Sequence, residues 1–440
     1  MLPLIAYESF FLGIIALSLY GVRFYVKWKS RVTNKLSLFQ KLIIVLISVI
    51  TIINFIDRSA ISFVIQPLEN EFGLSQLEFG VIAAAFGIGY VVSSFFGGIL
   101  VDRFGTVGTW ALSAFLWSVA TMLMAAGQGY ASFFALRVFL GVAEGLHFPA
   151  LLRTITDWIP SYYHARATSL CLLGTPFASV IGAPLITFLI RKMGWQWMFI
   201  FLGCIGVLWA ILWVVLFRKN NQALFTANLE LGKFSFKKTP WKSAFFNPTF
   251  IKSCSIYFAY GYTVFFFLMW VPGYLMQVHQ LSIQRLGFIL IIPWSFAAGF
   301  MLIGGWLSDH LWKKTSSLRV ARTSLIGLSL LFSGIALIPI LFSQSFIWDL
   351  FWLSLSLGFA STLNAPIYTL TANLFGPFTG MAQGILSCSF ALSGIASPVL
   401  TGWIVQSTGS FQKVFLLLSF LSISTSLMVL FFQKPDKKLL

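Results

Sequence analysis

Long apolar runs separated by short polar segments dominate the chain. One of them extends from Leu42 through Ile53 to Ile65. A helix needs about 20 apolar residues to cross a bilayer, whereas a barrel strand needs about 10 in alternation. The pattern therefore predicts an all-α polytopic membrane protein. We predict spans at residues 41–65, 77–100, 108–127, 130–153, 167–190, 195–217, 250–276, 285–307, 320–342, 346–374, 380–403 and 411–432.

The longest polar segment divides these spans into two groups of six. We predict an N-terminal half at 37–217, a basic cytoplasmic linker at 218–249, a C-terminal half at 250–432 and a basic cytoplasmic tail at 433–440. Two short sequences recur across the divide at a similar separation: Gly97–Arg103 with Gly304–His310, and Gly182–Pro184 with Ala396–Pro398. Repeated halves of this kind are an architecture of secondary transporters.

Residues 1–36 hold a further apolar segment, from Leu4 to Tyr25, and a basic stretch. The segment is long enough for an extra membrane-spanning helix. Glu8 and Arg23 leave only a short apolar stretch between them, which also fits a helix lying in the membrane interface. Both interpretations stay open, and a cleaved signal peptide fits less well because a basic start is absent.

The composition indicates that lipid surrounds the protein. Of its 440 residues, 58% are hydrophobic and 9% are charged, whereas soluble proteins average about 25% charged residues. Its net charge of +17 would suggest nucleic acid, but the 29 Lys and Arg residues are distributed unevenly. Two of them, Arg58 and Arg137, are deep in spans. With residues at span ends assigned to the adjoining side, the predicted topology leaves 23 on cytoplasmic segments and four outside: Arg191, Lys192, Arg285 and Lys413. This bias predicts a cytoplasmic start of the first half, a cytoplasmic C-terminus and no nucleic-acid partner.

Enzyme motifs are missing from the sequence. It contains no GxSxG, Walker A or HExxH motif, and its four cysteines form no CxxC pair. We therefore expect no catalytic residues, no metal and no cofactor. An ion gradient is then the expected energy source.

The sequence Gly97-Gly98-Ile99-Leu100-Val101-Asp102-Arg103-Phe104-Gly105 resembles the signature loop of the major facilitator superfamily. Its degenerate copy, from Gly304 to His310, lies in the second half. The resemblance implies the major facilitator fold, with 12 transmembrane helices in two six-helix halves. It also implies a conformational gate formed by Gly98, Asp102, Arg103 and Asp309.

A closer resemblance is to the anion:cation symporter family within that superfamily. The matching stretches are Asn54–Ser59, Glu71–Ser75, Arg137–Glu144, Phe148-Pro149, Gly194–Phe199 and Trp270–Leu275. Bacterial members of this family import sugar acids such as galactonate, glucarate and hexuronates. The resemblance therefore implies a proton-coupled symporter of organic anions in a bacterial inner membrane.

Four charged residues lie deep within the predicted spans, away from their ends: Asp57 and Arg58 in the first, Arg137 and Glu144 in the fourth. We expect none deep in the spans of the second half. Each charge costs about 2.5–3.5 kcal/mol at a helix centre. Arg137 and Glu144 are seven residues apart, so they share one helix face about 10 Å apart along the axis.

These charges have two interpretations. They could serve only to cancel each other and join two helices, although apolar packing would serve that purpose better. Alternatively, Arg58 binds a substrate carboxylate with its planar guanidinium, and Asp57 and Glu144 are proton-coupling sites. The resemblance implies the second set of roles, with Arg137 in the coupling network.

Neutral polar residues in other spans are candidates for substrate binding. The resemblance implies this role for Tyr90, and relatives carry substrate-contacting polar groups at the positions of Thr175, Tyr257, Asn364 and Ser387. Asn364 stands out because an amide in an apolar span needs a partner. His147 follows Glu144 by about one turn and fits a core histidine better than a site that tunes proton affinity.

The expected function is proton-coupled import of a small organic anion, a sugar acid or other carboxylate, by a monomer in the lipid bilayer. Two alternatives stay open. One is a carrier or exporter of a bulkier polycarboxylate or siderophore-like solute. The other is a sensor that binds a solute without moving it.

Overall fold

A computed structural model describes residues 36–160, 163–217, 247–343, 345–375 and 379–435. The apolar segment near the N-terminus, most of the predicted linker and the end of the predicted tail lie outside these residues. The helices of the first half are α1 Leu38–Ala60, α2 Ile65–Phe72, α3 Gln76–Leu123, α4 Gly129–Glu144, α5 His147–Trp158, α6 His164–Leu172 and α7 Gly174–Phe217.

The helices of the second half are α8 Pro248–Met269, α9 Val271–His279, α10 Ile283–Ile289, α11 Ile291–Thr315, α12 Leu325–Leu337, α13 Phe346–Thr362, α14 Asn364–Phe375, α15 Thr379–Thr408 and α16 Gln412–Phe432. A π-helical segment, Arg319–Ser324, precedes α12. A 3₁₀ segment, Ile61–Phe63, follows α1.

Eleven helical stretches of the described chain are long and apolar enough to cross a membrane. One of them, Leu170–Phe217, has 48 residues. At 1.5 Å per residue it would measure about 72 Å, more than twice the roughly 30 Å of a bilayer core. Gly194, with a φ of 87°, interrupts it. The stretch therefore contains two spans, and the total agrees with the twelve predicted ones.

Five spans are broken within their length, and a proline follows each break inside the first turn of the next helix: Pro149 in α5, Pro176 in α7, Pro272 in α9, Pro293 in α11 and Pro366 in α14. A proline has no N–H, so the carbonyl four residues earlier loses its helical hydrogen bond. Within the first turn of a helix a proline removes no bond of that helix, because the N–H groups there have no acceptor within it. Pro184 and Pro398, in contrast, lie inside the continuous helices α7 and α15.

Large apolar side chains cover the outside of the bundle. Leu208, Val215 and Phe420 are 65%, 66% and 71% exposed. Many further large apolar side chains of the spans are exposed as well, which is unusual for a water-soluble monomer. These side chains are the surface that lipid covers.

Glycines bring α3 and α4 into very close contact. A Cβ added to Gly89 of α3 would lie 2.1 Å from the carbonyl oxygen of Val138 in α4. Conversely, a Cβ on Gly141 would lie 2.0 Å from the oxygen of Phe86. Small residues permit such approaches between membrane helices. The contact sets the distance between the helices that carry Tyr90 and Glu144.

The two halves meet at the end of the bundle that the charge distribution predicts to face outside, which we call the outer end. There the amide of Leu77 in α3 donates to Oε1 of Gln406 in α15 at 3.0 Å. A Cβ on Gly80 would lie 2.5 Å from the oxygen of Pro398. The rings of Phe79 and Trp270 are 5.7 Å apart. The structure is therefore closed between the halves at the outer end.

We predict that Gly89→Ala lowers the free energy of unfolding by about 1–3 kcal/mol, because the added methyl group collides with the backbone of α4. Thermal unfolding of purified protein in detergent measures the change. Gly108→Ala is the matched control, since its Cβ would have only the side chain of Phe104, at 3.9 Å, within contact range. Equal unfolding temperatures for the two variants would contradict the prediction.

Candidate functional site

A buried ion pair joins α1 to α4. Nη2 and Nε of Arg58 donate to Oε2 of Glu144 at 2.9 Å and 3.1 Å. The side chains are 2% and 0% exposed. Arg58 lies in the last turn of α1, and Glu144 is the last residue of α4, just before the break that precedes α5. The pair therefore occupies the point where both helices end.

Three aromatic rings surround the guanidinium of Arg58. Its Cζ lies 4.5 Å from the ring centres of Phe55 and Phe86 and 5.0 Å from that of Tyr90. The π faces of such rings attract a cation, most strongly where water is excluded. The rings fix the position of the guanidinium and support its positive charge without neutralising it. Tyr90 thus lies next to Arg58, where a substrate contact was predicted.

Arg137 binds backbone carbonyls. Its Nη1 donates to the oxygen of Arg58 and its Nη2 to that of Ala83, both at 3.4 Å. The last four carbonyls of a helix have no partner within it, and α1 ends at Ala60. Arg137 therefore caps the C-terminal end of α1, where a positive charge also interacts favourably with the helix dipole.

Asp57 is buried without a partner. Its side chain is 2% exposed, and neither carboxylate oxygen has a hydrogen bond to any residue that the structure describes. Its electrostatic interaction with Glu144 places the two carboxyl groups in one network. The predicted network of four charges thus exists in space, but only one of its two possible ion pairs is formed.

The second half contributes a group of tyrosines and an asparagine. The hydroxyls of Tyr257 and Tyr368 are 2.7 Å apart. Nδ2 of Asn364, the first residue of α14, donates to the hydroxyl of Tyr260 at 3.2 Å. Tyr257 lies near Tyr90, so this group is close to the aromatic rings around Arg58. Tyr257 and Asn364 were predicted, whereas Tyr260 and Tyr368 were not.

The other candidate residues make no described hydrogen bond to the charged residues of the site. Thr175 and Ser387 are half-buried in α7 and α15, and their roles stay predictions. His147 is fully buried, with its ring centre 5.2 Å from that of Trp110. Its Nε2 lies 3.3 Å from the hydroxyl of Thr51. These contacts fit the interpretation of His147 as a core residue.

The predicted gate is described only in the second half. Oδ1 of Asp309 accepts hydrogen bonds from Nη1 and Nη2 of Arg322 at 3.1 Å and 3.0 Å. Arg322 is buried and Asp309 is 68% exposed. This pair ties the end of α11 to the π-helical segment. Gly98 and the side chains of Asp102 and Arg103 lie outside the description.

The second half also holds a buried charge near one end of a span. Asp349, in the first turn of α13, is 2% exposed and accepts hydrogen bonds from Tyr274 at 2.8 Å and from His279 at 2.9 Å. We expected no charge deep in these spans, and Asp349 lies close to the start of one; it was assigned no role from the sequence. Its partners follow the break after α8, 70 or more residues earlier, so no local pattern indicates the contact.

We predict that Asp349→Ala lowers the free energy of unfolding by about 3 kcal/mol, because Tyr274 and His279 lose their buried acceptor. Thermal unfolding is again the measurement. Asp309→Ala is a suitable control, since the Asp309 carboxylate is mostly exposed to solvent and its loss leaves Arg322 bonded to Ser308. A smaller effect for Asp349→Ala than for Asp309→Ala would overturn this account of the cluster.

Comparisons with known proteins agree with the fold. The chain is 30% identical over 424 residues to a probable galactarate/D-glucarate transporter of Bacillus subtilis strain 168, covering 90% of this chain and 92% of that protein. It is 28% identical over 389 residues to a hexuronate transporter of the same organism, covering 87% and 92%. The crystal structure of a D-xylose-proton symporter matches with a TM-score of 0.73 and 15% identity, covering 90% of this chain and 98% of that one.

A sequence model of the Major Facilitator Superfamily matches residues 47–326 and 316–439. The two matches together cover most of the chain and both halves. The expected resemblance and all-α membrane fold are confirmed, and so is the expectation of a transporter in place of an enzyme. The chain belongs to the Major Facilitator Superfamily.

Proposed function

We propose that the protein imports a small organic anion, a sugar acid or related carboxylate, together with protons by alternating access. One observation carries the proposal: the buried ion pair between Arg58 and Glu144, beside the unpaired carboxyl group of Asp57. Relatives named for galactarate, D-glucarate and hexuronate transport support the choice of a carboxylate.

Charge balance links the anion to the proton. Arg58 and ionised Glu144 are together neutral. If an anion joined them, the buried site would carry a net negative charge, which is costly where the dielectric constant is low. If Glu144 takes up a proton as the anion replaces it on Arg58, the site stays neutral. The anion and the proton therefore bind favourably together and poorly apart.

The guanidinium of Arg58 suits this exchange. Its planar fork can bind two carboxylate oxygens, and the rings of Phe55, Phe86 and Tyr90 hold it in place when Glu144 leaves. The anion thus meets a donor already in position, which reduces the entropy lost on binding.

Asp57 and Arg137 complete the coupling network. Asp57 has no ion-pair partner in the described chain, so it is the second place where a proton can enter. Arg137 stays on the backbone of α1 and α3 and keeps the end of α1 in place through the cycle. In this scheme Tyr90, Thr175, Tyr257, Asn364 and Ser387 contact the remainder of the substrate.

The contact between α3 and α15 supports alternating access. It closes the outer end through a hydrogen bond and the close packing of Gly80 against Pro398. Neither contact is covalent or ionic. Such a contact can open as the two halves rotate. Gly98, Asp102, Arg103 and Asp309 would form the corresponding gate at the cytoplasmic end. We place the protein in a bacterial inner membrane as a monomer, with its C-terminus in the cytoplasm.

We predict that Glu144→Gln abolishes accumulation of galactarate driven by a pH gradient and retains exchange of labelled for unlabelled galactarate. The amide is neutral like the protonated acid, so Arg58 is available to the anion at any pH. Uptake and exchange by purified protein in proteoliposomes measure both effects, with D-glucuronate as a second substrate. Glu71→Gln, an exposed carboxylate at the outer end, is the control.

Two results would contradict the proposal in different ways. Full accumulation against a gradient by the Glu144→Gln protein would remove Glu144 from proton coupling. Binding of a sugar acid by the natural protein without exchange would support a sensor in place of a transporter.

A further inference from the structure

We propose that Gln383 selects substrates that carry hydroxyl groups, by accepting a hydrogen bond from one of them with its Oε1. The inference rests on the proposed function and concerns the part of the anion that does not bind Arg58. Gln383 would thus distinguish hydroxylated carboxylates from carboxylates with a bare hydrocarbon chain.

The orientation of the Gln383 amide is fixed by its partner. Its Nε2 donates to the backbone oxygen of Tyr368 at 3.1 Å. A backbone carbonyl only accepts hydrogen bonds, so the nitrogen must face it. The alternative orientation would set two oxygens against each other. Oε1 of Gln383 is therefore the atom directed away from Tyr368.

That oxygen is buried and lacks a partner among the residues that the structure describes. Buried polar atoms are nearly always hydrogen-bonded, and one left unpaired destabilises the fold. A ligand that donates a hydrogen bond would complete this atom. Because an amide oxygen is only an acceptor, the ligand must supply a donor, and an ionised carboxylate has none. A hydroxyl group has one.

Tyr368 connects Gln383 to the other polar groups. Its backbone oxygen holds the Gln383 amide, and its hydroxyl lies 2.7 Å from that of Tyr257. When one hydroxyl donates to another, the pair keeps one free proton, which can be donated to a third group. Gln383 and the two tyrosines thus offer an acceptor and a donor at two points, which a ligand with several hydroxyl groups can use.

The charges of α8, α14 and α15 favour binding of the carboxylate by the first half and of the hydroxyl groups by the second. α14 and α15 contain no Asp, Glu, Lys or Arg, and the one such residue in α8, Lys252, lies near its start and donates to the backbone oxygen of Phe432. The carboxylate is therefore bound from the first half by Arg58. Tyr257 lies near Tyr90, beside Arg58, so the neutral groups approach the same region from the second half. A molecule that carries a carboxylate and hydroxyls matches both sides.

The test compares ligands that differ only in their hydroxyl groups. Galactarate and adipate share one carbon chain and its terminal carboxylates, and D-galactonate and hexanoate form a second such pair. Titration calorimetry of the purified full-length protein gives the dissociation constants. We expect the natural protein to bind the hydroxylated member of a pair about tenfold more tightly or better.

Gln383→Met removes the acceptor and keeps the side-chain length. We expect it to weaken binding of the hydroxylated ligand about tenfold and to change binding of its bare counterpart less than twofold. Tyr368→Phe, which keeps the backbone oxygen and removes the hydroxyl, should have the same selective effect. Gln412→Met is the control, because the exposed Gln412 likewise donates to a backbone oxygen, that of Leu341.

The outcomes separate the two proposals. Equal weakening of both ligands by Gln383→Met would mean that Gln383 only joins α15 to α14, and it would overturn the inference. The inference would also be overturned if Gln383→Met affected the binding of neither ligand, or if the natural protein bound the bare chains more tightly. In each of these cases the proposed function would stand. If no member of either pair bound, the proposed function itself would fail.

Discussion

The ion pair between Arg58 and Glu144 is the interaction on which the arrangement of the site depends. Both residues stand at helix ends inside the membrane, where backbone groups lack helical partners. The guanidinium pairs with Oε2 of Glu144, the rings of Phe86 and Tyr90 hold the guanidinium, and Arg137 caps the helix that carries it. Loss of either charge would leave the other buried and unpaired, which costs about 3–5 kcal/mol.

The two halves obtain polar groups in the middle of the bundle by the same means. Glu144 ends α4, and Pro149 follows in the first turn of α5. In the second half Asn364 begins α14, and Pro366 follows two residues later. In each case a proline interrupts the helix within its span and releases a carbonyl, so the chain bends where a functional side chain is needed. Discontinuous membrane helices commonly line the binding sites of transporters.

The sequence was sufficient to predict the spans and the four charges, because lipid imposes a length on every helix and a high cost on every buried ion. It was not sufficient to predict the partners. Asp57 and Arg58 are neighbours in sequence, yet Arg58 pairs with Glu144, 86 residues away, and Asp57 stays unpaired. The contacts of Asp349 and Gln383 were likewise missed, since they join helices whose relative rotation no periodicity reveals.

The division of charges between the halves also bears on how binding becomes movement. The first half holds the buried Arg58–Glu144 pair, whereas α14 and α15 contain only neutral side chains. A ligand with a carboxylate alone would satisfy the first half and leave Oε1 of Gln383 without a donor. A ligand with both kinds of group can bond to both halves, so it stabilises the state in which they close around it. Selectivity for the hydroxyl groups and closure of the site would then depend on the same hydrogen bonds.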